Sequence, residues 1–198
     1  DLVRACDVTV VAVPVAHVAG LVVDAIAAGA PVVTDVGSVK APILAEVATC
    51  GAPASRYVGG HPMAGSEQDG LAGADPDLFV GATWVLTPVP GTDADAHATV
   101  RALASAVGAE VVEVDPAEHD ALVAVVSHVP QLAATTLMDV AADAGEGSAL
   151  LLRLAAGGFR DMTRIAASHP AIWPDICAAN RDAIRSEEHT SELQSPCN

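Results

Sequence analysis

Apolar positions along this chain follow one rhythm up to Val114 and another after it. The run VTVVAVP (8–14) is continuous and β-branched and closes on a proline, which predicts a buried strand. HVAGLVVDAIAAG (17–29) has helical spacing and stops at Gly29. PVVTDVGS (31–38) predicts a second buried strand, followed by a helix from Ser38 or Val39 to about Thr49, ended by Gly51. RYVGG (56–60), ATWVLTPV (82–89) and AEVVEV (109–114) predict three more strands, with a helix from Asp93 to Val107 between the last two. This alternation implies a parallel, helix-covered sheet with mixed strands near its edge.

Past Val114 the strand signal ends. Residues 115–145 read as helix throughout, with Asp115 as N-cap, Pro116 at the first helical position and Pro130 as a kink. Residues 148–156 and about 170–184 also read as helical. The expected organisation is an α/β domain over 1–114 and an all-α domain over 115–184. Residues 185–198 turn abruptly polar, and RSEEHTSELQS resembles the conceptual translation of sequencing-adapter DNA. That tail, with His189 and Cys197, is read as non-native.

Composition narrows the picture. Of 198 residues, 52% are apolar and only 3% aromatic, so the core is built from small side chains at close approach, as in helices on a parallel sheet. The formal charge of −16 argues against nucleic-acid and anionic-membrane partners. One lysine and eight arginines make each cation worth locating. Cys6, Cys50, Cys177 and Cys197 form no CxxC pair and read as free thiols of a reducing compartment. The longest apolar run, Val8 to Val23, is broken by Pro14 and His17 and is too short for a membrane span, which leaves a cytoplasmic protein as the default. The chain opens without Met, which suggests a fragment.

Three strands in succession end in polar or constrained residues: Val13-Pro14, then Asp35 to Lys40, then Gly59-Gly60-His61. Strand carboxyl ends are where α/β proteins bind ligands. Gly37-Ser38 lies where a helix begins, a place that attracts phosphate or carboxylate. No GxGxxG occurs. His61, held between Gly-Gly and Pro62, is a candidate acid or base. Glu67 could orient a base, set a charge at a substrate, or be solvated. His128 lies beside Ser127 and Gln131, where Pro130 opens the helix backbone. His119 reads as a helix-surface or interdomain hydrogen bond. Arg160 and Arg164, at i and i+4 beside Gly157-Gly158, suit a carboxylate clamp. His61, Glu67 and His128 lack metal-ligand spacing, so no metal is expected.

Five segments in order resemble the prephenate/arogenate dehydrogenase family of tyrosine biosynthesis: DVTVVAVPV, TDVGSVK, GGHPMAGSE, EHDALVAVVSHVPQLAA and GGFRDMTRIAASHPAIWPDI. Together they cover most of residues 5–184. The resemblance implies a Rossmann-like NAD(P)-binding domain followed by an all-α substrate and dimerisation domain, and a homodimer when full length. It implies oxidative decarboxylation: prephenate gives 4-hydroxyphenylpyruvate and arogenate gives tyrosine, with NAD or NADP receiving the hydride. By the same resemblance, His61 is the catalytic histidine and Ser38 a catalytic serine near the nicotinamide. His128, Arg164, Arg160, Glu67 and Trp173 belong to the substrate site, and Val13, Pro14, Asp35, Gly37 and Ser38 to the cofactor site.

Against the family pattern, the glycine-rich loop and the end of the helical domain are missing. Gln131 stands where many relatives have a second histidine. The expectation is that the 198-residue chain by itself is inactive and poorly folded. A related hydroxyacid dehydrogenase would need a lysine in its helical domain, whereas the one lysine, Lys40, lies in the α/β part.

Overall fold

A computed structural model describes residues 2–51, 53–65, 73–145, 150–168 and 170–186. Glu67, His169, His189 and Cys197, with most of the polar tail, lie outside the described residues.

The sheet has five strands in sequential order: β1 (Thr9–Val11), β2 (Val33–Asp35), β3 (Tyr57–Pro62), β4 (Thr83–Thr87) and β5 (Glu110–Glu113). All neighbours are parallel except β3 and β4, which run antiparallel with His61 opposite Val85. The sheet is thus mixed, and the reversed pair carries the glycine-histidine segment.

Helices cover both faces. After a short α1 (Leu2–Ala5), α2 (Val15–Ala27) buries Val15, Val18, Val22 and Ile26, the i, i+3, i+4 stripe of its sequence. It packs with α3 (Ala41–Thr49) against Val11, Val33 and Tyr57 on one face. On the other face, α4 (Ala94–Ala106) sets Ala96, Val100 and Ala104 against Val58, Trp84 and Leu86. Asp93 caps α4 by accepting from the N–H groups of Asp95 and Ala96. Gly29 and Gly51 stop α2 and α3 with φ of +95° and +67°, where a side chain would be strained.

The helical part opens with α5 (Pro116–Val123), capped by Asp115 as its sequence predicts. A π turn (Ala124–His128) follows, then α6 (Val129–Gly145). The expected kink at Pro130 takes the form of this π turn, in which the Val129 N–H bonds back to the Ala124 carbonyl. Proline has no N–H for a normal turn, and the wider turn absorbs the fault. The stretch Pro116–Gly145 has the length and apolar composition of a membrane span, yet it buries His119, Asp120, His128 and Gln131 inside the molecule.

Shorter pieces complete the helical part: α7 (Leu150–Leu154), α8 (Gly157–Thr163), two 3-10 turns (Arg164–Ala167, Pro170–Ile172) and α9 (Trp173–Ala179). Ile176 of α9 joins the core beneath α2, so the helical part is packed onto the sheet layer.

Candidate active site

The carboxyl ends of β2 and β3 and the middle of the helical part enclose a cavity of about 440 Å³. Ser38 and His61 line it from the sheet side; His128, Gln131, Arg164 and Trp173 line it from the helices. These side chains come from positions up to 135 residues apart, Ser38 to Trp173. Five of the candidates named from sequence therefore share one pocket.

His61 is held on two sides. Its backbone follows Gly59 and Gly60, which pass so close to their neighbours that side chains are excluded. A Cβ on Gly60 would lie 2.7 Å from the Asp35 carbonyl oxygen, and one on Gly59 would lie 2.4 Å from Thr87 Oγ1. The His61 ring meets His119, with 2.9 Å between Nδ1 and Nε2 and an edge-on ring contact. His119 Nδ1 in turn lies 2.7 Å from Asp120 Oδ1. Burial above all, then the Lys40 ammonium and the rings of His119 and His128, pulls the His61 pKa down to about 3. The ring is therefore neutral near pH 7, as a proton acceptor must be.

His128 is oriented from behind. Asn180 donates its amide to the Asp120 carbonyl at 2.8 Å and meets His128 Nδ1 at 3.0 Å. A backbone carbonyl only accepts, so the amide atom facing both groups is the nitrogen, and His128 Nδ1 accepts from it. In the neutral ring Nε2 then carries the hydrogen. Among the described residues Nε2 is buried without a protein partner, on a residue that lines the cavity, which suits donation to a ligand. Burial lowers the pKa of His128 against the opposing pull of Asp120. The Trp173 ring stands edge-on to His128 at 6.2 Å, and its Nε1 donates to Ser168 Oγ.

The other candidates fall elsewhere. Asp35 turns its carboxylate inward. It is wholly buried and accepts from Gly37 N, Gly60 N, the Tyr57 hydroxyl and the Lys40 ammonium. Gly37 spends its N–H on that carboxylate, and a Cβ there would sit 2.9 Å from Asp35 Oδ2, so the glycine serves the buried cluster. The anion expected at the start of α3 belongs to the protein itself: Asp120 accepts from the N–H groups of Lys40 and Ala41, each at 2.8 Å. Arg160 is exposed on α8 and does not line the cavity, whereas Arg164 does. Arg164, still in right-handed helical conformation, begins the 3-10 turn that follows α8. Val13 is partly buried and Pro14 exposed at the end of β1, ahead of α2, whose N-terminus has no side-chain cap.

Sequence reasoning missed Lys40, Tyr57, Asp120 and Asn180 as parts of the site's frame. The signal for Lys40 was its singularity: one lysine in a chain this acidic is wholly buried between Asp35 and the Gly60 carbonyl. Its pKa is drawn down by burial, with Asp35 opposing, while burial and Asp35 push Tyr57 well up.

Parallel strands that deliver their ends to a cleft beneath a helical domain are the architecture of nucleotide-dependent oxidoreductases. Comparison with known proteins gives the family. The model described as prephenate dehydrogenase, nucleotide-binding domain, matches residues 1–113, and the one described as prephenate dehydrogenase, dimerization domain, matches residues 115–194. The chain belongs to the prephenate dehydrogenase family.

Prephenate dehydrogenase of Bacillus subtilis (strain 168) is 43% identical over 140 residues, which are 70% of this chain and 38% of that protein. The Aquifex aeolicus prephenate dehydrogenase solved with hydroxyphenyl propionate and NAD+ superposes with a TM-score of 0.84 at 31% identity, covering 94% of this chain and 65% of that one. Synechocystis arogenate dehydrogenase gives a TM-score of 0.76 at 30% identity, covering 97% and 70%. The chain spans less than half the length of the Bacillus protein.

Proposed function

We propose that this protein is a prephenate dehydrogenase that oxidatively decarboxylates prephenate to 4-hydroxyphenylpyruvate, with NAD or NADP as cofactor. The observation that carries this reading is the pairing of a neutral His61 with Ser38, His128 and Arg164 around one cavity. Such a pocket has an acceptor for a hydroxyl proton, two hydrogen-bond donors and a cation for a carboxylate.

The residues present fit the nicotinamide end of a dinucleotide. Ser38 stands at the pocket beside His61, and Val13 and Pro14 end the parallel strand next to β2. A nicotinamide held there would supply the acceptor for the hydride on the ring carbon that bears the hydroxyl. The chain's own residues do the rest. His61 accepts the hydroxyl proton as hydride departs and returns it to the same oxygen as the ring becomes aromatic, Ser38 hydrogen-bonds the same region, and Arg164 pairs with a substrate carboxylate. His128 donates from Nε2, and Trp173 walls the pocket. Loss of CO₂ makes the ring aromatic and supplies the driving force, so binding and alignment are the main tasks left to the protein.

By family resemblance Glu67 remains assigned to the substrate site and Arg160 to a basic position neighbouring it. Residues 1–114 are read as the cofactor domain and 115–184 as the substrate and dimerisation domain, which supports a homodimer. The free thiols Cys6, Cys50 and Cys177 support a reducing, cytoplasmic location.

The test is turnover of the full-length protein and its His61→Asn variant, with prephenate and arogenate as substrates and both cofactors. Loss of about a hundredfold or more in kcat, with cofactor binding retained, is expected. Near-normal turnover of the variant overturns the role of His61. Preference for arogenate replaces the substrate and keeps the chemistry.

A further inference from the structure

His61 has two ring nitrogens, and only the one not held by His119 is available to a ligand. A base needs that nitrogen, Nε2, to carry a lone pair, so Nδ1 must carry the hydrogen. The surroundings of His119 decide this. Asp120 Oδ1 lies 2.7 Å from His119 Nδ1 and also accepts the Lys40 backbone N–H, while Oδ2 accepts the Ala41 N–H. Asp120 takes two backbone N–H donors at the start of α3, so its contact with His119 Nδ1 is one more bond that it accepts, and Nδ1 carries a hydrogen. In a neutral imidazole the other nitrogen is then a lone pair, and at 2.9 Å His119 Nε2 in that form accepts from His61 Nδ1–H.

We propose that His119, anchored by Asp120, is a positioning residue that fixes the tautomer of His61 with Nε2 as the acceptor facing substrate. This rests on the reading of His61 as the proton acceptor. The arrangement follows the logic of a carboxylate behind a catalytic histidine, lengthened by one imidazole. When His61 Nε2 takes the hydroxyl proton, the ring becomes an imidazolium, and its Nδ1–H strengthens its bond to His119 with the Asp120 charge behind it. The chain crosses the domain boundary: His61 belongs to β3, His119 and Asp120 to α5, and the donors under Asp120 lie at the start of α3.

His119 is almost fully buried, at 2% exposure, so it acts through its neighbour and not on substrate. Replacement separates this role from packing. In His119→Gln, the side-chain oxygen reaches the place of Nε2 and can still accept from His61 Nδ1–H. In His119→Phe the ring volume stays and the acceptor goes.

The experiment has two arms. Nitrogen-15 NMR of the histidine rings in the unsubstituted protein should show His61 protonated at Nδ1; protonation at Nε2 overturns the proposal, whatever the kinetics. Steady-state kinetics of the full-length protein should show kcat of His119→Phe reduced about a hundredfold with KM within a few-fold, and most of that loss recovered in His119→Gln. Equal losses in the two variants, or normal kcat in His119→Phe while His61→Asn is inactive, overturn the positioning role and leave His61 as base. Normal kcat in His61→Asn overturns the reading beneath it. If His119→Phe fails to fold, the NMR arm and His119→Gln still decide.

Discussion

Lys40 and Asp35 form an ion pair with neither side chain exposed to solvent, and the same ammonium donates to the Gly60 carbonyl. The pair thus ties the end of β2 to the residue before His61. Removing one partner of a buried pair strands the other charge. Lys40→Met is expected to cost about 3–5 kcal/mol, read as a lower urea midpoint. Lys40→Met combined with Asp35→Asn, which removes the stranded charge and keeps a side-chain oxygen as acceptor for the remaining donors, should recover part of that loss. A Lys40→Met protein as stable as the parent would show that the pair does not hold the loop.

Gly60 lies where no side chain fits, 2.7 Å from the Asp35 carbonyl oxygen and 3.1 Å from Trp84 Nε1 by the position its Cβ would take. Gly60→Ala should cost about 1–3 kcal/mol and reduce turnover more than substrate binding, since the base moves with the strand. The control is Gly20→Ala on the exposed side of α2, where nothing lies within 4 Å of the new Cβ. It should stabilise by about 0.5–1 kcal/mol. Equal effects at both sites would contradict the packing seen around Gly60.

Stability should fall on the acid side. The folded pKa of His61, about 3, lies below its ordinary 6.5, so the unfolded chain binds the extra proton first. The stability owed to the neutral ring is complete above about pH 6.5 and is lost as pH falls from there toward 3. The shift at His128 has the same direction. Burial, and after it the Lys40 ammonium, raises the cost of charging His61. Urea midpoints taken from pH 8 to 4 should decline below 6.5, and less steeply in His61→Asn. Parallel declines in both proteins would remove His61 as the cause.

Arg164 and Arg160 should separate in kinetics. Arg164→Ala is expected to raise KM for the dianionic substrate about tenfold or more, with Arg164→Lys intermediate, because a point charge replaces a planar fork. Arg160→Ala, exposed and off the cavity, should change KM less than threefold by the same measure. A larger effect at Arg160 would place substrate on the outer face of α8.

The alternation of apolar runs made all five strands legible, and helical spacing with the stops at Gly29 and Gly51 gave α2 and α3 to within a few residues. His61, Ser38, His128, Arg164 and Trp173 were legible because each stands beside a proline, a glycine or a strand end, or in a family motif. The frame was not. Asp35 sits at a strand end like a ligand-binding residue, but its carboxylate is turned inward by partners 2, 5, 22 and 25 residues away. Asp120 serves a helix 79 and 80 residues upstream. Period and propensity are local properties and carry no record of such pairings. His119, read as a helix-surface or interdomain contact, proves to be the interdomain one, and only the distance to His61 revealed its partner.

The carboxylate of Asp120 is also a clasp. It holds the start of α3 in one domain through two N–H donors and His119 of its own domain through a third. Any movement that lifts α5 from α3 breaks the two bonds to Lys40 and Ala41 and takes His119 away from His61 in the same stroke. Widening the cleft and disarming the imidazole are therefore a single event.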